Sequence, residues 1–361
     1  MALDSPSLAG MIAMPTPTQP TRIVVRAPNW VGDAVMAIPF LASLRLNAPN
    51  AAIHLVCRAA LADLWEDLRL ADRVIALDEQ AGRSGLRSVW RNARRLRPER
   101  YDLGFCLPPS FGSALMFRLA GVRRRVGHAA DARGWLLSDR LPYGADGRRP
   151  HRAEGYLQLL QLVWPEAQTD RNLHYRPGPQ AVAVADTLLS SIMPPLGAPM
   201  AIAPGAAQPN KLWPAARFAE IGRRWQAIGG QCWLVGGQND CGACEAVAAG
   251  LSTSATHNLC GRGTLPVVGE IIRRAALFVG NDSGLSHLAA AVGTPVVVIS
   301  GPGDPTEVAP FTVHALTVKK SLFCSPCYSN RCFRKDYPLE CQDLVTAEDV
   351  WSAVRRLSGR A

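Results

Sequence analysis

Residues 22–45 read RIVVRAPNWVGDAVMAIPFLASLR. Ile23, Val24 and Val25 form an unbroken β-branched run, which suits a strand buried on both faces rather than one that alternates inside and outside. The loop PNWVGD follows. Its Gly32 permits a tight turn, and Asp33 is placed to cap a helix. From Ala34 onward Val35, Ile38, Leu41 and Leu44 recur at helical spacing, and Pro39 should kink or restart that helix. A buried strand, a short polar loop and a helix make the first step of an α/β fold with a parallel sheet.

Further along the chain the pattern repeats. Strands are predicted at 52–57, 73–77 and 102–106, with helices at 60–68 and 84–96 between them. A second series begins with a strand at 200–204, the loop GAAQPNKLWP and a helix at 215–227. It continues with a strand at 231–235, helices at 241–251 and 266–274, and a strand at 276–279. A helix at 285–292, a strand at 296–300 and a last helix at 347–357 complete it. The Pro- and Gly-rich stretches RPGPQ and PPLGAP flank a short predicted helix near 181–193 and mark a hinge. A chain of 361 residues accommodates two domains. The expected division is an N-terminal extension at 1–20, a first domain at 21–178, a linker at 179–198 and a second domain at 199–361. Two doubly wound parallel sheets in tandem place a cleft between their carboxyl edges, where such folds bind ligands. The first loop lacks G-x-G-x-x-G, which argues against dinucleotide binding.

The net charge is +10, and it is concentrated. Between Arg83 and Arg152 stand 16 arginines, no lysine and five acids. Such a patch suits phosphate-bearing partners. No nucleic-acid-binding motif accompanies it, so nucleic acid is not the expected partner. The uncharged stretch 283–303 is interrupted by Gly293, Pro295 and Pro302, and reads as helix, turn and strand rather than as a membrane span. Residues 1–20 lack the basic and apolar regions of a signal peptide and carry Pro15, Pro17 and Pro20. They are expected to be a disordered lead-in to a cytoplasmic protein with reduced cysteines.

Four places can carry chemistry. Asp33 would be a carboxylate above a sheet edge, able to take a proton from an incoming hydroxyl or simply to cap its helix. Gly280-Asn281-Asp282-Ser283-Gly284 is a strand–turn–helix junction. Its free N–H groups suit a diphosphate, and His287 lies one turn further on. Lys211 is one of only four lysines among the 39 basic residues, in the loop after the first strand of the second half. There an ammonium could offset charge on a departing phosphate. The run Cys324-x2-Cys327-x4-Cys332-x8-Cys341 admits a structural zinc, but it has a single C-x2-C pair, so reduced packing thiols are the favoured reading.

Taken together, VRAPNWVGDAVMAIPFLASLR, LAGVRRRVGH, HRAEGYLQLL, APGAAQPNKLWPAARFAEI and FVGNDSGLSHLAAAVGTPVVVISGPGDP resemble, in order, the blocks of glycosyltransferase family 9. Within it they are most similar to the heptosyltransferase II group. The resemblance covers nearly the whole chain from Arg22 and includes the CSPC segment. It implies a GT-B fold: two Rossmann-like domains facing a central cleft, the acceptor on the first and an ADP-sugar on the second. It implies inverting transfer of L-glycero-D-manno-heptose from ADP-heptose to the inner core of lipopolysaccharide. No metal or other cofactor would be required, and the acceptor would be a lipid A–core at the cytoplasmic face of the inner membrane. By position Asp33 would be the general base, and Lys211 would stand near the donor diphosphate. Asp282, Ser283, Gly284 and His287 would form the ADP-sugar loop. Asn29, Trp30, Arg123, Arg124, His151 and Glu154 would face the acceptor. The chain departs from the group at Gln208-Pro209-Asn210, and at Ser286, where Met is usual.

Overall fold

The computed structural model describes residues 20–78, 85–142, 149–190, 192 and 197–359. The expected lead-in, apart from Pro20, lies outside them, as does part of the expected linker.

The first half forms six strands: β1 (Arg22–Arg26), β2 (Ala52–Cys57), β3 (Arg73–Ala76), β4 (Leu103–Cys106), β5 (Arg124–Ala129) and β6 (Asp139–Pro142). The second forms β7 (Pro199–Ala203), β8 (Gln231–Leu234), β9 (Thr256–Asn258), β10 (Leu277–Asn281), β11 (Val296–Ile299) and β12 (Ala315–Val318). Among the described residues every strand pair of the two sheets is parallel, and the orders are β3-β2-β1-β4-β5-β6 and β12-β11-β10-β7-β8-β9. Numbered from its own first strand, each sheet has the same 3-2-1-4-5-6 order. Each therefore reverses direction between its first and fourth strands, and the loops leaving those strands open a crevice at the carboxyl edge.

Helices join and cover the sheets. They are α1 (Val31–Met36), α2 (Ile38–Asn47), α3 (Ala62–Leu68), α4 (Leu86–Leu96), α5 (Phe111–Leu119), α6 (Arg152–Gln161) and α7 (Pro179–Ser190) in the first part. In the second are α8 (Ala215–Ala227), α9 (Cys241–Ala248), α10 (Leu265–Arg273), α11 (Gly284–Ala291), α12 (Pro305–Val308), α13 (Glu340–Asp343) and α14 (Ala347–Ser358). The helix expected across 34–46 is two helices. Ala37 separates them, and Pro39 occupies the first turn of α2, where its missing N–H costs nothing. α7 packs against α10 of the second half.

Ile23, Val24 and Val25 are fully buried, as an unalternated strand between two helical layers requires. One apolar core runs from Ile23 and Phe105 beneath the first sheet to Leu288 and Val296 beneath the second. Tyr175 fastens the crossing: its hydroxyl donates to Asp67 of α3 at 2.8 Å, and its N–H donates to Ala291 O of α11 at 2.8 Å. The tightest approach between the halves is α1 against α11. A Cβ on Gly284 would stand 2.5 Å from Val31 Cβ, and one on Gly32 would stand 2.8 Å from the His287 ring. The two glycines let the helix starts meet closely, Val31 packing on Gly284 and the His287 ring on Gly32, and this fixes the geometry of the cleft.

Candidate active site

A cavity of about 390 Å³ lies between the two carboxyl edges. Asp33 lines one wall. Lys211, Asp282, Ser283, Gly284 and His287 line the other. The wall built on the second sheet combines the loop after β7, which carries Lys211, with the loop after β10, which carries Asp282. These are the two loops that flank that sheet's switch point.

Asn281 ties those loops together. It is fully buried, accepts from Trp213 N at 3.1 Å and donates to Pro204 O at 2.7 Å. The Lys211 ammonium donates to Asp282 Oδ2 at 2.8 Å. The two residues thus form a partly buried ion pair on one wall of the cleft. Ser283 is the N-cap of α11 but makes no side-chain cap bond, so the first N–H groups of the helix carry partial positive charge at the cavity wall. His287 is buried, and burial pushes its pKa down to about 4. Its Nδ1 has no hydrogen-bond partner among the described residues.

On the facing wall Asp33 does not cap its helix. The N-cap is Trp30, again without a side-chain bond, and Asp33 is the third residue of α1. Its carboxylate instead accepts from Arg152 Nη1 at 2.9 Å. Arg152 begins α6 and lines the cavity together with Arg149, Gln208, Asp304 and Tyr328.

The residues assigned to the acceptor separate into groups. Trp30 is exposed at the cavity. Asn29 accepts from the buried Arg26. His151 accepts from Ala153 N at 3.2 Å as the N-cap of α6. Its Nε2 lies 2.8 Å from Ala309 O, and its ring stacks on Phe311, so it bridges the halves. With Nδ1 accepting, Nε2 carries the proton and the ring is neutral, as its burial favours. Glu154 pairs with Arg171 at 2.9 Å. Arg123 and Arg124 stand at the opposite, amino edge of the first sheet. There they pair with Asp102 at 3.5 Å and Asp139 at 2.7 Å and border a separate cavity. The β5 residue number, not the local charge, decides this: position 124 opens a strand whose far end faces the cleft.

Arg152 is the cavity residue that the sequence does not single out. It belongs to the HRAEGY block, but nothing in the sequence links it to Asp33, 119 positions away. Ser286 is fully buried and donates to Asn281 O at 2.6 Å, so this departure from the group falls in the packing beneath the loop. Gln208, by contrast, lines the cavity. Cys324, Cys327, Cys332 and Cys341 border one small cavity. Among the described residues no group of three or more His, Cys, Asp or Glu side chains is arranged to hold a metal ion. The same segment places Tyr328 and Ser329 at the cleft.

Two doubly wound parallel sheets facing each other across a cleft make the GT-B architecture. Residues 89–338 match the family model "Glycosyltransferase family 9 (heptosyltransferase)". The chain belongs to that family. It is 29% identical over 316 residues to "Lipopolysaccharide heptosyltransferase 2" of Salmonella typhimurium, covering 82% of this chain and 88% of that one. It superposes on the solved "E. coli ADP-heptose lps heptosyltransferase II" with a TM-score of 0.76 at 24% identity, over 94% of this chain and 99% of that one. On "E. coli heptosyltransferase WaaC with ADP" the TM-score is 0.70 at 17% identity, over 93% and 99%.

Proposed function

We propose that the protein transfers a heptose from ADP-heptose to the inner core of lipopolysaccharide, as heptosyltransferase II does, with inversion at the anomeric carbon. The observation that carries this reading is the placement of Asp33 and of the Lys211–Asp282–Ser283 wall on opposite sides of one cavity. The solved relative that holds ADP and the curated relative that acts on lipopolysaccharide support the choice of donor and acceptor.

The donor diphosphate would lie against the N-terminus of α11, where backbone N–H groups and the helix dipole favour an anion. As the glycosidic bond to ADP breaks, negative charge grows on the leaving phosphate and positive character on the sugar ring. Lys211, oriented by Asp282, would stabilise the leaving group without a metal. From the other wall, Asp33 would accept the proton of the acceptor hydroxyl as that oxygen attacks the opposite face of the sugar. Arg152 holds the carboxylate by one oxygen, which leaves Oδ2 for the proton.

Incubating the purified protein with ADP-heptose and a heptose-bearing inner-core acceptor should add the mass of one heptose to the acceptor. No added mass with that pair, and transfer with another nucleotide sugar, would assign a different donor within the family. The Gln208-Pro209-Asn210 loop, which departs from the group and reaches the cavity, is where such a difference would reside.

A further inference from the structure

The surface of α4, α5 and the loop after β5 carries apolar side chains that the fold does not cover. Leu86 is 71% exposed, Trp90 54%, Trp135 70% and Leu119 44%. The two helices pack together, with Val89 3.5 Å from where a Cβ on Gly112 would stand. The Phe111 and Trp135 rings lie 6.2 Å apart. At 100° per residue, Leu86, Trp90 and Arg94 fall on one exposed stripe of α4, while Asn92, Ala93 and Leu96 face inward. Arg94 lies over the Trp90 ring at 5.4 Å. Arg87, Arg118 and Arg140 are also exposed. Among the described residues none of these four arginines pairs with a carboxylate.

We propose that this face docks on an anionic lipid bilayer. Two exposed tryptophans and two leucines, set among cations without carboxylate partners, match a membrane interface. There aromatic rings sit at headgroup depth and phosphates compensate the arginines. The position also fits. α5 begins two residues after Pro109, which lines a small cavity with Arg149 and Arg152, and both arginines also line the main cleft. The docking face therefore borders the carboxyl edge of the first sheet, where a lipid-linked acceptor would enter. That last consequence rests on the function proposed above; the lipid binding does not.

The test is co-sedimentation with vesicles of phosphatidylcholine, with and without phosphatidylglycerol, in the absence of donor and acceptor. The wild-type protein should pellet with the anionic vesicles and be released by high salt. Trp90→Ser with Trp135→Ser, and separately Arg87→Glu with Arg94→Glu, should each lower partitioning by about tenfold or more. Both should keep the wild-type thermal midpoint and its rise on adding ADP, which shows that fold and cleft are intact. Equal pelleting of wild type and both variants, or no wild-type preference for anionic vesicles, overturns the proposal. So does a wild-type dimer that the tryptophan variant dissociates without any change in vesicle binding, because the face would then join two copies of the chain. Vesicle binding without sugar transfer, or the converse, separates this proposal from the catalytic one.

Discussion

Arg152 Nη1 donates to Asp33 Oδ1 at 2.9 Å, across 119 residues of sequence. The guanidinium at the start of α6 selects one orientation of a carboxylate on α1, and that carboxylate lines the same cavity as Lys211 and Asp282. Removing the guanidinium frees the carboxylate to rotate away from the acceptor. Arg152→Ala should lower kcat by about 10–100-fold, the effect of misplacing a catalytic group by about an ångström. ADP affinity, measured by calorimetry, should change little, because the donor would be held by the other wall. A large loss of ADP affinity with kcat preserved would show that Arg152 binds donor rather than positions Asp33.

The Lys211 ammonium donates to Asp282 Oδ2 at 2.8 Å, which binds the loop after β7 to the loop after β10. The pair sets a specific expectation. Lys211→Ala removes the cation and leaves Asp282, only 6% exposed, as an unpaired charge beside an incoming diphosphate. We expect a loss of about 10²–10³ in kcat and a smaller rise in donor KM. Adding Asp282→Asn to Lys211→Ala should recover part of the loss, because neighbours in one ion pair are not additive. Strictly additive losses would mean that the two residues act independently.

Much of this was legible in the sequence. The run Ile23–Val25 and the strand–loop–helix rhythm define the parallel sheets, and Pro39 marks the break between α1 and α2. The region between 107 and 180 was not legible. β5 opens with Arg124-Arg125, and its strand character comes from pairing with β4 and β6, not from apolar content. β9, with the sequence Thr-His-Asn, is a sheet edge in which tertiary pairing outweighs composition. Asp33 and Lys211 could be found because each follows a first strand. Their partners could not, since ion pairs across the chain leave no local pattern.

Gly284 and Gly32 are spacers between α1 and α11. Gly284→Ala would place a methyl group 2.5 Å from Val31 Cβ and 3.2 Å from Gly32 N. Backbone cannot yield as a side chain does, so the helices must separate. Destabilisation of about 1–3 kcal/mol is expected, read as a lower thermal midpoint, together with impaired transfer. A variant with wild-type stability and rate would show that the cleft tolerates a wider spacing.

Two buried histidines set an acid limit. Burial holds His287 and His128 at pKa values of about 4, the latter also repelled by Arg133. Unfolded, each would titrate near 6.5, so between about pH 6.5 and 4 the unfolded chain binds more protons than the folded one. Their contribution is complete above that window and is lost as pH falls through it, by up to on the order of 3 kcal/mol for each histidine. The denaturant midpoint should fall between pH 7 and pH 5, and His128→Asn should flatten that slope. An unchanged slope would place the acid sensitivity elsewhere.

In the proposed reaction Asp33 would take the acceptor proton. Asp33→Asn preserves the size of the side chain and keeps an oxygen for Arg152, but removes the basic oxygen. Single-turnover transfer measured with saturating donor and acceptor isolates that step. The expected rate is lower by about 10²–10⁴, with ADP binding and the thermal midpoint close to wild type. A rate within a few-fold of wild type would contradict it and assign the proton to another group.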